Sequence, residues 1–347
     1  MPTRPSAQPV VPGHEAATEP AKLDWQVEAL WQNLSPLLPG VCIEVVARSE
    51  STNTALLERV RSAVRAASEG PGGRVGDGRR VDGSVDGSVD GRVDDRSAFG
   101  RRADDLQPCL LVAEHQTHGR GRMGRTWFSG PGSSLTFSLG LCLDMQDWSG
   151  LSLAVGCAIA EALEPSAGLA AGAGPRLRLK WPNDLWLDGR KLGGILIETV
   201  AAGEQRMVVV GVGLNIKELP GLLGEGAPLG QKSPFSTGFA ALTELQPELT
   251  APTVLALIVP ALAQALLNFS YSGFAAWHPA FERRDLTVGR AVTAGVLDGI
   301  ARGVNAQGEL LVQTPQGLHT ISGGEVSLRL QPQGAPTTPH APTIPEV

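Results

Sequence analysis

The 347-residue sequence has no excess of basic charge and few aromatic side chains. Its 29 Lys and Arg residues are outnumbered by 35 Asp and Glu residues, which gives a formal net charge of -6. Proteins with general affinity for nucleic acid or anionic membranes usually carry a basic excess over one face. Aromatic residues are 5% of the chain, with a single tyrosine, Tyr271. These features argue against a general nucleic-acid or membrane binder.

Closely spaced cysteine pairs are also missing. The four cysteines, Cys42, Cys109, Cys142 and Cys157, form no C-x-x-C pair, which argues against a zinc knuckle or a redox dithiol. Most lie in apolar runs, as buried thiols do in a reducing compartment. The N-terminus has no apolar signal segment, and we expect no uncharged apolar run long enough to span a membrane. The sequence therefore predicts a cytoplasmic protein.

Composition divides the chain into five segments. Residues 1–22 and 332–347 are rich in Pro and Ala without periodicity, and we predict disordered tails. Residues 68–107 repeat V-D-G-[SR] every four residues. A calcium-binding repeat is the alternative there, but its nine-residue period is absent, and a solvated insertion is favoured. Residues 23–284 are predicted to form an α+β domain, and residues 285–331 a small β-barrel.

Hydrophobic periodicity predicts alternating strands and helices in the larger domain. The predicted strands are "GVCIEVVARS", "PCLLVAEHQ", "SLTFSLGLCL", "RLRLKW", "DLWLDGRKLGGILIETV" and "RMVVVGVGLNI". The predicted helices are "STNTALLERVRSAVRAA", "WSGLSLAVGCAIAEALE" and the stretch from Thr253 to about Phe274, with a shorter helix-like run in "DWQVEALWQNLSPLL". Ser51 or Thr52 is expected to cap the first of these helices, and Asp188-Gly189 to form a hairpin turn.

The stretch "GRGRMG", Gly119 to Gly124, matches the dinucleotide-binding fingerprint G-x-G-x-x-G. In that fingerprint the glycine turn opens a helix whose amides meet a pyrophosphate. Here a turn and a predicted strand follow instead. The chain also lacks the H-R-D and D-F-G motifs of kinases and the P-loop G-x-x-x-x-G-K-[ST]. The match is therefore weak evidence for any of these families.

The arginines in this loop are more informative than the glycines. Arg120, Arg122 and Arg125 are bidentate anion donors in a loop that glycines make mobile. The loop suits a ligand that carries phosphate or a transient acyl phosphate; a solvated basic loop is the alternative. His115 and His118 flank the loop, and we expect solvated loop histidines rather than catalytic bases.

Three further stretches add candidate binding groups. "KWPNDLW" contains Lys180, which could hold phosphate, and Asp184, which could hold magnesium. A type I turn with Asn and Asp in their usual roles is the alternative. In "GRKLGGILIE", Lys191 precedes a glycine pair that allows close approach of backbone or ligand. Asn215 ends another strand in "GVGLNI". Together these groups predict a site for a small acid activated by a nucleotide.

The ordered set "STN", "EHQTHGRGRMGRTWFS", "KWPNDLW", "RKLGGILIE", "GVGLNI" and "GGEVSLR" resembles the biotin protein ligases, over roughly residues 41–66 and 109–330. The resemblance implies a mixed β-sheet flanked by helices, of the class II synthetase-like type, and a C-terminal SH3-like barrel. It implies that biotin and MgATP give biotinyl-5′-AMP, and that biotin then passes to a lysine of a biotin carboxyl carrier protein domain of acetyl-CoA carboxylase.

The resemblance also implies roles for particular residues. Biotin and nucleotide contacts carry over to Ser51, Thr52, Asn53, Gln116, Gly119, Arg120, Gly121, Arg122, Trp127, Lys191, Gly193 and Asn215. Among these, Trp127 would face the adenine and Asn215 the nucleotide. Lys191, Arg122 and Lys180 would screen the charges of the carboxylate and phosphates, and Asp184 would hold Mg²⁺. The glycine-rich loop would order over the adenylate and protect it from water.

This sequence departs from part of the family pattern. Some members carry an N-terminal winged helix-turn-helix, but only about forty residues precede the first catalytic strand here, so we predict no DNA binding. We expect a monomer or weak homodimer. Two alternatives stay open: a lipoate or octanoate protein ligase, and a non-catalytic nucleic-acid-binding module that uses the arginine loop and the barrel.

Overall fold

The structure, a computed structural model, describes residues 23–68, 106–145, 147–170, 172–202, 205–218, 238–322 and 328–330. Both predicted tails and nearly all of the 68–107 insertion lie outside the described residues. The helices are α1 (Val27–Leu34), α2 (Thr52–Ser68), α3 (Leu151–Leu163), α4 (Ala251–Ser272) and α5 (His278–Arg284). The strands of the larger sheet are β1 (Cys42–Ser49), β2 (Cys109–Gln116), β3 (Ser134–Cys142), β4 (Leu177–Lys180), β5 (Asp184–Leu187), β6 (Arg190–Ala202) and β7 (Gln205–Asn215).

The larger sheet has seven strands in the order β1-β2-β3-β7-β6-β5-β4. The β1 and β2 strands are parallel and every other neighbouring pair is antiparallel, which confirms the predicted mixed sheet. The α2 helix connects the parallel pair, as a parallel connection requires a crossover. Asp188 and Gly189 form the predicted hairpin turn between β5 and β6, and their φ values of 47° and 78° are the two positive values of a type I′ turn.

The two faces of the sheet are covered by different helices. Alternate residues of β3 and β7, among them Phe137 and Val210, are buried in the main core with α3 and α4. The opposite face packs Leu111 and Val209 against Leu56 of α2 in a smaller cluster. This alternation is what a sheet buried on both faces requires. The α2 face carries the candidate active site described below.

The α4 helix corrects one expectation from the sequence. Ala251–Ser272 contains no charged residue and is long and apolar enough to cross a membrane, contrary to the expectation that no such run exists. Half of its most apolar window is buried inside the protein, where it packs against α3. The hydroxyl of Thr250 caps its first turn. The helix therefore serves as a core helix here.

The C-terminal strands form a second sheet. They are β8 (Ala291–Ala294), β9 (Leu297–Val304), β10 (Leu310–Thr314), β11 (Gly317–Ile321) and β12 (Leu328–Leu330), in the order β11-β10-β9-β8-β12. All neighbours are antiparallel. The sequence predicted a small SH3-like β-barrel. Among the described residues no pairing joins β11 to β12, because the three-residue β12 pairs with β8 alone, and the sheet is open.

The small sheet is attached to the larger domain by hydrogen bonds and a shared core. The indole N–H of Trp181 donates to the carbonyl oxygen of Gly308 at 3.0 Å. The imidazole Nε2 of His278 in α5 lies 2.8 Å from the carbonyl oxygen of Val304. Val312 of β10 belongs to the same apolar core as α3 and α4. These contacts fix the small sheet beside the turn between β4 and β5.

Candidate active site

The first turn of α2 forms one end of the candidate site. The β1 strand ends at Ser49, and the Ser51 hydroxyl accepts a hydrogen bond from the Thr54 amide at 3.4 Å, which confirms Ser51 as a cap of α2. Ser51, Thr52 and Asn53 are 4%, 3% and 3% exposed. Three consecutive polar side chains are therefore buried where the strand becomes a helix. Buried polar groups need partners, and these are supplied by other strands.

Gln116 and Ser138 hold these side chains in place. Gln116 ends β2, and its Oε1 accepts from the Thr52 amide at 2.8 Å. Ser138 Oγ lies 2.6 Å from Thr52 Oγ1 and 2.6 Å from Asn53 Oδ1. Because Oδ1 can only accept, the Ser138 hydroxyl donates to Asn53. Sequence reasoning missed Ser138; the available signal was that Ser134, Thr136 and Ser138 are polar and alternate with apolar residues along β3.

Asn53 reaches across the sheet to β6 and β7. Its Nδ2 donates to the carbonyl oxygen of Leu196 at 3.1 Å and to Glu198 Oε2 at 2.9 Å. A Cβ at Gly211 would lie 2.2 Å from Asn53 Oδ1, so only glycine fits beneath this side chain. The amide of Asn53 is thus fixed by three strands at once, through Ser138, Leu196 and Gly211.

The arginine loop is an ordered hairpin between β2 and β3. Arg120 and Thr126 form an antiparallel bridge, and the Gly121 amide donates to the Arg125 carbonyl at 2.7 Å. A 3-10 turn closes the tip, with φ of 57° at Met123 and 69° at Gly124. No α-helix follows the glycines, which confirms the predicted strand-loop-strand arrangement. The loop is more regular than a mobile glycine-rich segment suggests, because backbone hydrogen bonds join its two sides.

The arginines of the loop face different parts of the site. Arg120 is half exposed and lies 3.7 Å from Glu198 Oε1, on the side of α2. Arg122 donates to Asn183 Oδ1 at 3.4 Å, on the side of the turn between β4 and β5. Burial lowers the pKa of Arg122, while the nearby Asp184 carboxylate opposes that shift. The loop therefore bridges the two ends of the site with one cation at each.

Trp127 covers the middle of the site. A Cβ at Gly213 would lie 2.5 Å from Trp127 Cε2, so the indole ring rests directly on the backbone of β7. A Cβ at Gly119 would lie 2.4 Å from the Trp127 carbonyl oxygen, which explains that glycine by packing. The Trp127 indole N–H is buried and has no hydrogen-bond partner among the described residues. Such a donor suits a bound polar ligand.

Two lysines share one carboxylate at the other end of the site. Lys191 Nζ lies 2.8 Å from Asp184 Oδ1, and Lys180 Nζ lies 3.9 Å from Asp184 Oδ2. Lys180 also lies 5.5 Å from the centre of the Trp186 ring. Burial is the main cause that lowers the pKa of Lys180, and Asp184 partly opposes it. This cluster of two cations and one anion carries a net positive charge.

Gly194, Gly211 and Gly213 form a patch of backbone without side chains between the two ends of the site. We call this patch the glycine floor. Gly194 and Gly213 are direct partners on β6 and β7, and Gly211 follows two residues along the same face. Asn53 stands over Gly211 and Trp127 over Gly213. The lysine–aspartate cluster stands beside Gly194. The structure thus brings the predicted polar and cationic groups to one continuous surface.

Two predicted residues have structural partners of their own. Asn215 is 4% exposed, and its Nδ2 donates to the Ala240 carbonyl at 3.1 Å. Its amide is therefore not the lone group expected at a strand mouth; it ties the end of β7 to the segment that follows residue 237. A Cβ at Gly193 would lie 2.5 Å from the Gly213 carbonyl oxygen, so strand packing alone requires glycine there.

The two histidines beside the loop differ from each other. His118 is exposed, as predicted, and its Nδ1 lies 3.1 Å from Thr117 Oγ1. His115 belongs to β2, is half-buried, and its Nδ1–H donates to the Ser129 carbonyl at 3.0 Å. The expectation of a solvated His115 was wrong, because β2 extends past His115 and Ser129 contacts the His115 ring.

Two family models match the chain. The biotin/lipoate A/B protein ligase family matches residues 103–215, and the biotin protein ligase C-terminal domain matches residues 287–329. The biotin–[acetyl-CoA-carboxylase] ligase of Paracoccus denitrificans is 33% identical over 223 residues, 62% of this chain and 88% of the relative. That of Mycobacterium tuberculosis is 31% identical over 240 residues, 64% and 79%. The chain belongs to the biotin protein ligase family.

Longer relatives and solved structures agree with this family. The bifunctional ligase/repressor BirA of Escherichia coli is 35% identical over 225 residues, 63% of this chain. The match spans 65% of that relative's length. The biotin protein ligase of Aquifex aeolicus, solved in complex with biotin and ATP, superimposes with a TM-score of 0.56 at 24% identity, covering 83% of this chain and 99% of its own. This likeness shows that the chain has the fold of the family.

Proposed function

We propose that this protein is a biotin protein ligase. It activates biotin with ATP to biotinyl-5′-AMP and then transfers biotin to the ε-amine of a lysine on a biotin carboxyl carrier protein domain. The observation that carries the proposal is the glycine floor, which joins a buried uncharged polar pocket to a lysine cluster on one surface. A biotinyl adenylate has this same polarity, with an uncharged ring system at one end and a phosphate near the other.

The pocket at the start of α2 suits the ureido ring of biotin. Ser51, Thr52, Asn53 and Gln116 offer hydroxyl and amide groups that both donate and accept, and all four are buried. An uncharged ring with N–H donors and a carbonyl acceptor can form hydrogen bonds with these four groups. A charged group of a ligand would find no opposite charge among them. Ser138 acts as a positioning residue, because it holds Thr52 and Asn53 from below.

The cationic end suits the reacting carboxylate and phosphate. Both groups are negatively charged, so their approach needs screening by nearby cations. Lys191, Lys180 and Arg122 surround Asp184 at this end, and their charges supply that screening. The attacking group in the first step is biotin's own carboxylate, so the reaction requires no side-chain nucleophile. We assign Trp127 to the adenine, and Asn215 to holding the segment beside the nucleotide.

Asp184 is the residue that would hold Mg²⁺ with the ATP phosphates. Magnesium is usually bound by one or two carboxylates together with substrate phosphates, and Asp184 is a donor of the right kind. Its two oxygens lie 2.8 Å from Lys191 Nζ and 3.9 Å from Lys180 Nζ. We propose that the ATP phosphates pair with Lys191 and Lys180 in place of Asp184, so that the Asp184 carboxylate is available to bind the ion. Magnesium would then screen further phosphate charge.

The arginine loop is proposed to act as a cover over the adenylate. It already spans from α2 to the turn between β4 and β5, through Arg120 and Arg122. A mixed anhydride is hydrolysed by water, so a loop that excludes solvent protects the intermediate until the acceptor lysine arrives. For the protein as a whole we propose a cytoplasmic monomer or weak homodimer.

Mass spectrometry of the purified protein tests the activity and separates it from lipoate or octanoate ligation. With ATP and biotin we expect biotinyl-AMP, and with a carrier domain present we expect one biotin on one lysine of that domain. An adenylate formed with lipoate but none with biotin would overturn the assignment. Lys191→Met should lose adenylate formation, while Lys217→Met, which replaces an exposed lysine just after β7, should retain it.

A further inference from the structure

A second group of ligating side chains lies at the far end of β1 and β2 from the candidate active site. The two strands pair in parallel register, so Cys42 and Cys109 are direct partners. Alternate residues of a strand share one face, which places Glu44 beside Cys42. The strands reach the active site at their last residues, Ser49 and Gln116. At about 3.3 Å per residue the two sites are roughly 23 Å apart.

The donor atoms of this group have the spacing of a metal site. Cys42 Sγ lies 3.6 Å and Cys109 Sγ 4.0 Å from Glu44 Oε1, and the three atoms all lie within 4.8 Å of one another. A tetrahedral ion with zinc–sulfur and zinc–oxygen bonds of ordinary length would set its sulfur and oxygen ligands about 3.5 Å apart. The two sulfur–oxygen distances, 3.6 Å and 4.0 Å, are already close to this value.

Arg59 of α2 now contacts the same group. Its Nη1 and Nη2 lie 2.7 Å and 2.8 Å from the two Glu44 oxygens, and Nη1 also lies 3.8 Å from Cys109 Sγ. The guanidinium therefore lies against the same Glu44 and Cys109 atoms that would bind a metal ion. The pair is partly exposed, with side-chain exposures of 35% and 26%, and its bidentate geometry is the strong form of an Arg–carboxylate pair. A divalent ion must therefore compete with Arg59 for the Glu44 carboxylate.

We propose that Cys42, Glu44 and Cys109 form a binding site for a thiophilic divalent cation of the zinc class. Two thiolates select such ions over Mg²⁺ or Ca²⁺. On binding, each thiol releases one proton to solvent, Glu44 exchanges Arg59 for the ion, and water completes the fourth position. The ion links the first residues of β1 and β2, so it stabilises the folded protein without contacting the active site.

Cobalt(II) is the probe that tests this site, since thiolate ligands give it an intense charge-transfer band in the near ultraviolet. Full-length protein is reduced, freed of metal and titrated with cobalt(II) and then zinc(II). Cys142→Ser is the matched control, because Cys142 is another half-buried thiol outside the group. Wild type and this control should show the band with one equivalent, and zinc should remove it.

The variants of the group should behave differently from the control. Cys42→Ser and Cys109→Ser should each weaken cobalt binding at least tenfold, and the double variant should abolish the band. Arg59→Gln should bind at least threefold more tightly, because a competing cation is gone. Zinc should raise the melting temperature of wild type and Cys142→Ser but not of the double variant, whose biotin adenylation should stay unchanged.

Two results would overturn the site. One is a wild-type protein that gives no thiolate band when fully reduced, and the other is a double variant that binds cobalt as wild type does. If a serine variant fails to fold, alkylation of the wild-type thiols tests the metal site instead. Zinc should then protect Cys42 and Cys109 but leave Cys142 as reactive as before. Equal alkylation of all three with and without zinc would contradict the proposal.

Discussion

Ser138 is a buried hydroxyl that acts on the proposed biotin pocket only through other side chains. We predict that Ser138→Ala raises the dissociation constant of biotin about tenfold, because Thr52 and Asn53 each lose a partner at 2.6 Å. Leaving a buried polar group without a partner costs about 1–3 kcal/mol. A tenfold change in affinity is about 1.4 kcal/mol and lies within these limits. Isothermal titration with biotin measures the change.

The control for this prediction is Ser272→Ala, which removes an exposed serine at the end of α4. It should bind biotin as wild type does. Ser138→Thr keeps the hydroxyl and should retain more affinity than Ser138→Ala. If Ser138→Ala bound biotin as tightly as wild type, Asn53 and Thr52 would not need this support, and the pocket would be misassigned.

Lys180 should determine how the first step responds to alkaline pH. Burial lowers its pKa, so its ammonium is present at low pH and is lost, as pH rises, earlier than for an ordinary lysine. Arginine keeps its charge throughout this range. We therefore predict that Lys180→Arg moves the alkaline limb of kcat/KM for ATP to higher pH, even if the maximum rate falls. The pH profile of adenylate formation measures this.

Lys217→Arg is the matched substitution for the pH experiment, since Lys217 is exposed. Its alkaline limb should coincide with that of wild type. A limb that stays unchanged in Lys180→Arg would show that another group controls it.

At the scale of residues, the sequence predicted what lies within one short motif. Ser51, Thr52 and Asn53 are neighbours in the chain, and their burial follows from the strand-to-helix junction. Contacts between distant motifs were not predictable. The pairing of Asp184 with Lys191 depends on a strand register, and the support of Asn53 by Ser138 depends on which strands are adjacent. Neither appears in a local pattern.

The glycine floor gives a prediction about the β6–β7 hairpin as an element. In Gly213→Ala the added Cβ would lie 2.5 Å from Trp127 Cε2, and overpacking of this kind costs about 1–3 kcal/mol. Trp127 must move, so kcat/KM for adenylate formation should fall at least tenfold. Gly168→Ala is the control, because no heavy atom lies within 4 Å of its added Cβ.

A double variant separates a clash from a general loss of stability. Trp127→Ala removes the ring that the new methyl group meets, so Gly213→Ala should cause a much smaller further loss in that background. Neighbouring residues in contact are expected to be non-additive in this way. Purely additive losses of activity would mean that Gly213 matters for a reason other than Trp127.

Elements were predictable where a pattern is long. The alternation in β3 and β7 and the apolar runs of α3 and α4 were enough to identify each from the sequence. The α5 helix, His278–Arg284, was not foreseen, because seven residues hold too few turns for a period to show. The open C-terminal sheet was predicted as a barrel because composition reveals short strands but not whether their edges meet.

At the scale of the whole molecule, Arg284 joins three elements that the sequence leaves far apart. Its guanidinium is 2% exposed and donates to Glu164 Oε2 at 2.9 Å, the Leu177 carbonyl at 3.0 Å and Glu161 Oε2 at 3.1 Å. It thereby fixes α5, and the small sheet that follows it, against α3 and β4. No sequence motif predicts this arrangement, since Arg284 and its partners become neighbours only in the folded chain.

We predict that Arg284→Met lowers the free energy of unfolding by about 3–5 kcal/mol, because it leaves the Glu164 carboxylate, whose side chain is only 10% exposed, without its cation. Arg283→Met is the matched control. Arg283 is the exposed neighbour of Arg284, and its substitution should change the free energy of unfolding by less than about 0.5 kcal/mol. Urea unfolding followed by circular dichroism compares the two. If both variants unfold at the same urea concentration, Arg284 does not join α5 to the larger domain, and the bond from Trp181 to Gly308 and the shared apolar core hold the small sheet without it.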